Sequence, residues 1–291
     1  MRGRASVIVR THADGSIAVG QALHAHLAAR IARAWGSEPH YVPAPVDELY
    51  LALESHEAGM AHSDSDPCLD PLTGLPYDYQ ALPQPVHVTL WHRVARSLVP
   101  QSRYAALLVS RHATWIFAQY EPKPAADYRK EMAAFLLEER ALQLSLQRSL
   151  GQDPQYEHAV RPEALARTST LFQTWDRISA HLCRGTRPPT PWTAAPTRSG
   201  LSNLALQRTG PECWTLSPWP LRVPELRLRG EGRLLPERFV DQRAFSGAWD
   251  DLPWRAWEMT LSPGIPLPDA AEPAMHAPIL RVPHAQSASP A

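Results

Sequence analysis

Six amphipathic helical patterns in succession, with no strand pattern between them, occupy residues 21–184 and set the class of fold open to this chain. Apolar residues recur there at the three- and four-residue spacing of a helix face. The patterns cover about Gln21–Trp35, Val46–Ala58, Val86–Leu98, Tyr104–Phe117, Ala125–Leu150 and Pro162–Arg184. Gly36 and Gly59 stop the first two, and Pro122 and Pro124 break the chain before the fifth. Pro162 stands at a first-turn position, where its missing N–H is tolerated.

The rest reads differently. Ser6–Arg10 and Ser16–Gly20 are short β-branched runs joined by turn chemistry, the signature of a hairpin. The segment Ala61–Pro85 is a long polar loop rich in Asp, Pro and Gly, and such loops are often functional. After Arg184 a Pro-rich linker, Gly185–Pro196, leads to strand patterns at Trp214–Leu221, Glu225–Arg229 and Trp254–Leu261. The tail from Ser262 is Pro/Ala-rich without periodicity and is expected to be disordered. An isolated hairpin is marginal in water, so the N-terminal hairpin and the strands after Trp214 are expected to share one sheet. The expected fold class is therefore mainly α with a small β portion. One compact domain spans 1–262, with a helical core over about 21–184 and a β portion from 5–20 and 213–262.

Composition excludes several classes. Twenty-nine basic and twenty-nine acidic residues give zero formal net charge, which offers nucleic acid or an anionic membrane no attraction. No apolar run reaches the roughly 20 residues that cross a bilayer, and the N-terminus lacks the apolar stretch of a signal peptide. The expected location is the cytoplasm. Cys68, Cys183 and Cys213 are odd in number and far apart, against a disulfide framework or a thiolate zinc site.

Helical geometry sorts the candidate site residues. Leu23, Leu27 and Ile31 define one apolar face, with His24 at its edge. Val46, Leu49, Tyr50 and Leu53 define another, with Glu57 on it and His56 at its flank. Leu171, Phe172, Trp175, Ile178 and Leu182 line a third, with Asp176 at the rim, and His112 follows the apolar run of a fourth. Four segments thus turn an imidazole or a carboxylate toward the interior, where an unpaired polar group is costly. Imidazole plus carboxylate suits divalent transition metals, which generate hydroxide near neutral pH. The competing reading is a set of hydrogen-bonded structural side chains. Other signals are weaker. Asp64, Asp66 and Asp70 lack the glycine and closing Glu of a calcium loop and read as a solvated loop. Ser110 near His112 has no nucleophile elbow around it.

The segments Gln21/His24 running into Ala34-Trp35-Gly36, then His56-Glu57-x-Gly59, Leu69–Tyr79, Leu107–His112, Trp175–Ser179 and Leu216–Pro220 together resemble the bacterial domain-of-unknown-function family 3891. The same residues are similar, more distantly, to the HD metal-dependent phosphohydrolases. Those all-helical enzymes carry a His, a His-Asp pair on another helix and a distant Asp on a later one. By position the pattern falls on His24, His56 with Glu57, and Asp176. The pair here is His-Glu, one methylene longer, and Gly59-Met60 stands where the family segment reads Gly-Trp.

This second resemblance implies an HD-like helical core and a divalent metal ion held by His24, His56, Glu57 and Asp176. Glu57 and His112 are the implied catalytic groups. The implied activity is hydrolysis of phosphate esters, with a small-molecule substrate or ligand and no nucleic-acid or membrane partner. The alternatives are a non-catalytic ligand-binding or partner-binding module that retains the pocket, and a structural or partner-binding protein with the long helix Ala125–Leu150 as its docking surface. Oligomeric state is left open.

Overall fold

A computed structural model describes residues 6–12, 15–60, 64–81, 84–118, 126–186, 188 and 193–265. Two hairpin strands, β1 (Ile8–His12) and β2 (Gly15–Val19), lead into helices α1 (Gln21–Ala34) and α2 (Val46–Ser55). A small hairpin, β3 (Leu69–Asp70) and β4 (Leu75–Pro76), precedes four helices: α3 (Gln84–Leu98), α4 (Arg103–Ala118), α5 (Ala126–Leu150) and α6 (Pro162–Arg184). Strands β5 (Thr193–Pro196), β6 (Leu201–Gly210), β7 (Cys213–Ser217) and β8 (Leu226–Leu235) follow, then α7 (Gln242–Ala248) and β9 (Trp254–Pro263).

Seven strands form one curled, half-barrel sheet in the order β1-β2-β8-β9-β7-β6-β5. Every pairing is antiparallel except β7 with β9. The hairpin joins the later strands through β2, where Ile17 faces Leu234. Helices form the second layer. α1 packs on α2, α6 and β8, α6 packs on β1 and β5, and α3, α4 and α5 pack on one another. One core cluster runs through both layers, with Trp35, Trp175 and Trp214 wholly buried.

This architecture corrects the expectation of a mainly α fold with a small β portion and an HD-like helical core. Described residues are 49% helical and 24% strand, and the sheet is large. The β portion draws on residues from 193 rather than 213. Three features hid it. β6 (LSNLALQRTG) is rich in polar and unbranched residues, which carry little strand signal. β5 ends the segment that reads as a Pro-rich linker and sits at the sheet edge, where proline is tolerated. β8 continues past Arg229 through Gly230 and Gly232, which read as turn residues. These two positions are closely approached: a Cβ on Gly230 would lie 2.4 Å from the Trp257 ring, and one on Gly232 would lie 2.4 Å from the Ala18 carbonyl oxygen. The loop expected over 61–85 holds β3, β4 and the start of α3. Residues 266–291, most of the tail expected to be disordered, lie outside the described residues.

Arg10 of β1 ties the layers together. Its guanidinium is wholly buried and donates from Nη1 to the Leu182 and Cys183 carbonyls, at 2.6 and 2.9 Å. It thereby satisfies the end of α6, where a cation also meets the negative end of the helix dipole. Nη2 pairs with Glu212 in the β6–β7 turn, and the Trp257 ring stacks at 4.8 Å. Breaking a buried pair leaves its partners uncompensated. Replacing Arg10 with Ala is expected to lower stability by about 3 kcal/mol, the low end of the range because Glu212 keeps partial access to water. Urea denaturation of Arg10→Ala against the parent checks this.

Candidate metal centre

Each predicted residue is delivered by its own piece of local structure. α1 presents His24 among buried Ala and Leu residues. The first turn of α1 has no side-chain cap of its own. Asp64 supplies one from the following loop, accepting the Ala22 N–H at 3.1 Å. Asp64 is therefore the partner of a helix end rather than a solvated loop residue. His56 closes α2, and Glu57 begins a short 3-10 turn over 58–60. Gly59 lets that turn seat against α3, because a Cβ there would lie 2.6 Å from Val94 and 2.7 Å from the Leu90 carbonyl oxygen. α4 carries His112, and α6 carries Asp176.

The five residues converge. Asp176 Oδ1 lies 2.8 Å from His24 Nε2 and 3.1 Å from His56 Nε2, and Oδ2 lies 3.7 Å from His112 Nε2. Glu57 Oε1 lies 3.7 Å from His56 Nε2. Ligand atoms of His24, His56 and Glu57 fall within 4.8 Å of one another, as do those of His56, His112 and Asp176. All are buried except Asp176, whose side chain is 14% exposed.

Hydrogen bonding sets how these groups can act. His56 Nδ1 must carry a proton, since it donates to the Leu53 carbonyl at 2.7 Å. In the neutral ring Nε2 is then a lone pair aimed at a carboxylate oxygen. Two acceptors in contact repel, so that position calls for a proton or a metal cation. A ring nitrogen fixed by a backbone carbonyl, with its opposite nitrogen facing other ligand atoms, is the arrangement of a metal-binding histidine. His24 is similar. Its Nδ1 lies 2.5 Å from Ser179 Oγ, and that hydroxyl donates to the Asp176 carbonyl at 3.0 Å. With the hydroxyl proton so used, Nδ1–H donates to Oγ, and in the neutral ring Nε2 is again a lone pair facing Asp176 Oδ1. Among the described residues, Glu57 Oε2 and both His112 nitrogens are buried without a hydrogen-bond partner.

The charges respond accordingly. Burial pushes the Glu57 carboxyl up to about 8, with His56 opposing and Asp176 and Asp64 adding to it. Burial pushes His112 down to about 3 despite Asp176. It also lowers His24, against the hydrogen bond to Asp176. Burial works against charge on His56 too, but its bond to Asp176 and the nearby Glu57 outweigh it and raise the pKa. Asp176 resists its own burial, because the three imidazoles hold it well below the usual carboxylate range.

A pocket of about 90 Å³ opens from this cluster. His24, Glu57 and Asp176 lie at its inner end, and Tyr79, Trp115, Ile116, Arg177, His181 and Arg184 are among the residues around them. Ser179, Arg177 and Arg184 did not emerge from the sequence. The available signal was their place on α6: Arg177, Ala180, His181 and Arg184 follow Asp176 at helical spacing. Ser110 does not form a nucleophile–base pair with His112. Its hydroxyl donates to the buried Glu139 at 2.5 Å.

A curled sheet backing a helical layer, with a buried three-histidine, two-carboxylate cluster between four segments, defines the class of protein. A family described as "Protein of unknown function (DUF3891)" matches residues 7–237, and the chain belongs to that family. No curated protein and no solved structure matches the chain. The segments that carry the family resemblance are the ones that build the site, since they include Gln21, His24, His56, Glu57, Tyr79, His112, Asp176 and Ser179.

The carbonyl lock on His56 has a direct readout. Its Nδ1 is expected to stay protonated at every pH at which the chain is folded, while Nε2 alone changes state. Nitrogen-15 spectra of protein labelled in the histidine rings report each nitrogen separately, and a deprotonated His56 Nδ1 would refute the assignment.

Proposed function

We propose that this protein is a metal-dependent hydrolase of phosphate esters, with His24, His56, Glu57 and Asp176 around a divalent cation. The observation that carries the reading is the cluster itself. Ligand atoms from four segments lie within bonding reach of common points, and several are buried without another partner. Burying such groups unpaired costs about 2–7 kcal/mol for a neutral one, and a cation would relieve that cost at several atoms together. The chemistry the ion supplies is Lewis acidity and a lowered pKa for water.

The chain's own residues do the rest. Asp176 balances charge and aligns the rings of His24 and His56. Ser179 and the Leu53 carbonyl hold those rings in the ligating tautomer. Glu57 Oε2 is placed to take a proton at the buried end. His112, beside Asp176 and against Phe172 with ring centroids 4.8 Å apart, orients the substrate or passes a proton. Arg177 and Arg184 on the pocket wall favour an anionic substrate.

Elemental analysis of untagged protein, followed by titration with Mn²⁺ and Zn²⁺ and a screen of phosphate esters, tests this. One ion per chain and metal-dependent ester hydrolysis are expected. His56→Ala and Asp176→Asn should abolish metal binding with the helical circular dichroism retained. Ser179→Ala should weaken it by about 10-fold or more, the usual cost of losing a partner that orients a ligand. A chain that purifies without metal and takes none up is no hydrolase of this kind. It would then be a binding module that retains the pocket.

A further inference from the structure

We propose that the pocket admits a terminal, dianionic phosphate, so that the substrate is a phosphomonoester whose organic part rests against Trp115, Ile116 and Tyr79. This rests on the metal-dependent hydrolase reading of the same site.

The charges around the pocket favour a dianion. Glu57 and Asp176 are the acids lining the pocket among the described residues, and Arg177 and Arg184 are its guanidinium groups. A divalent cation matches the two acids. The arginines then stand opposite whatever enters, which is the complement of a dianion. Asp78, outside the lining, offsets part of the Arg184 charge and fixes its direction: Arg184 Nη2 donates to Asp78 Oδ1 at 2.5 Å. The guanidinium also stacks on Tyr79 at 4.6 Å, and its Nε has no hydrogen-bond partner among the described residues. A planar donor group clamped in this way is pre-organised for an oxyanion.

The shape of the pocket favours a terminal group. His24, Glu57 and, behind them, His56 and His112 are at most 7% exposed, whereas Tyr79, Trp115, Ile116, Arg177 and Arg184 are half-buried. The pocket is thus closed at its histidine end and opens past the arginines and aromatic rings. A volume of about 90 Å³ that ends at buried histidines takes a terminal group, with the organic arm directed toward the less buried aromatic residues. A phosphodiester carries a single negative charge and needs exits for two arms. Aromatic and aliphatic side chains at the opening offer the one arm an apolar contact.

The test is calorimetric titration of the full chain loaded with Mn²⁺, at mildly alkaline pH. Phenylphosphonate, a dianion that cannot be hydrolysed at an ester, is compared with diphenyl phosphate and inorganic phosphate. Phenylphosphonate should bind at least about 10-fold more tightly than diphenyl phosphate. Losing one charge-assisted hydrogen bond is worth about a factor of 10 or more, so Arg177→Gln and Arg184→Gln should each weaken phenylphosphonate by that much. Trp115→Ala should weaken phenylphosphonate and leave inorganic phosphate unchanged. If Arg184→Gln does not fold, Arg177→Gln decides. Equal binding of monoester and diester analogues, or no effect of Arg177→Gln, overturns the proposal. A chain that takes up no metal ends the hydrolase reading. Arginine-dependent phenylphosphonate binding by that metal-free chain would still support the anion subsite, and its absence would sink both.

Discussion

One buried negative charge organises the molecule. Asp176 sits with its side chain 14% exposed, and imidazole nitrogens from three other segments face it across positions that call for a proton or a cation. Charge buried this deeply persists only when paired and hydrogen-bonded. α1, the end of α2, α4 and α6 must therefore meet where they do. Hydrophobic packing brings these helices together, since Leu27, Leu49, Leu107 and Phe172 belong to one core cluster. Packing alone does not fix the rotation of each helix. The contacts to Asp176 do, because a turn of any helix by one residue would carry its imidazole away from the carboxylate. The same geometry that a metal would use also specifies the fold.

The sheet supplies the second constraint. α6 must be held at a fixed height for Asp176 to reach all three rings, and the end of that helix is fastened to β1 by Arg10 and to the β6–β7 turn through Glu212. Arg184, two turns beyond Asp176 on the same helix, is fastened to Asp78, which in turn accepts the Val9 N–H at 3.0 Å. The pocket wall is thus braced against the sheet at two points. Side chains outside the cluster decide where its imidazoles and carboxylates stand.

This division explains what was legible in the sequence. Helices carry their own periodicity, and the faces read from it placed His24, His56, Glu57, His112 and Asp176 toward the interior, where the structure brings them together. The sheet was not legible to the same degree, because its evidence is not local. Gly230 and Gly232 read as turn residues until Trp257 and Ala18 are seen lying against them. β6 shows its purpose only through its pairing with β7. The supporting residues were hidden for the same reason. Asp64 caps a helix more than 40 residues upstream, Arg184 finds its acid 106 residues away, and no spacing rule reaches that far. The expected HD-like helical core failed at this level too. A run of His and acid residues in a given order does not specify the scaffold that carries it.

The reach of the family match bears on how the scaffold is completed. The match ends at residue 237, yet β9 begins at Trp254 and lies between β8 and β7 in the sheet. Without β9 the matched region would hold two separate sheets, β1-β2-β8 and β7-β6-β5. Each would present a bare edge with unpaired backbone groups. β9 closes that gap with pairings on both sides, antiparallel to β8 from Leu226 to Arg233 and parallel to β7 from Cys213 to Leu216. It also contributes Trp257, which covers Gly230 and stacks on Arg10. The residue that braces the site helix is therefore buried by a strand outside the matched region. The polypeptide beyond residue 237 is structurally part of the site, although none of its described residues lines the pocket.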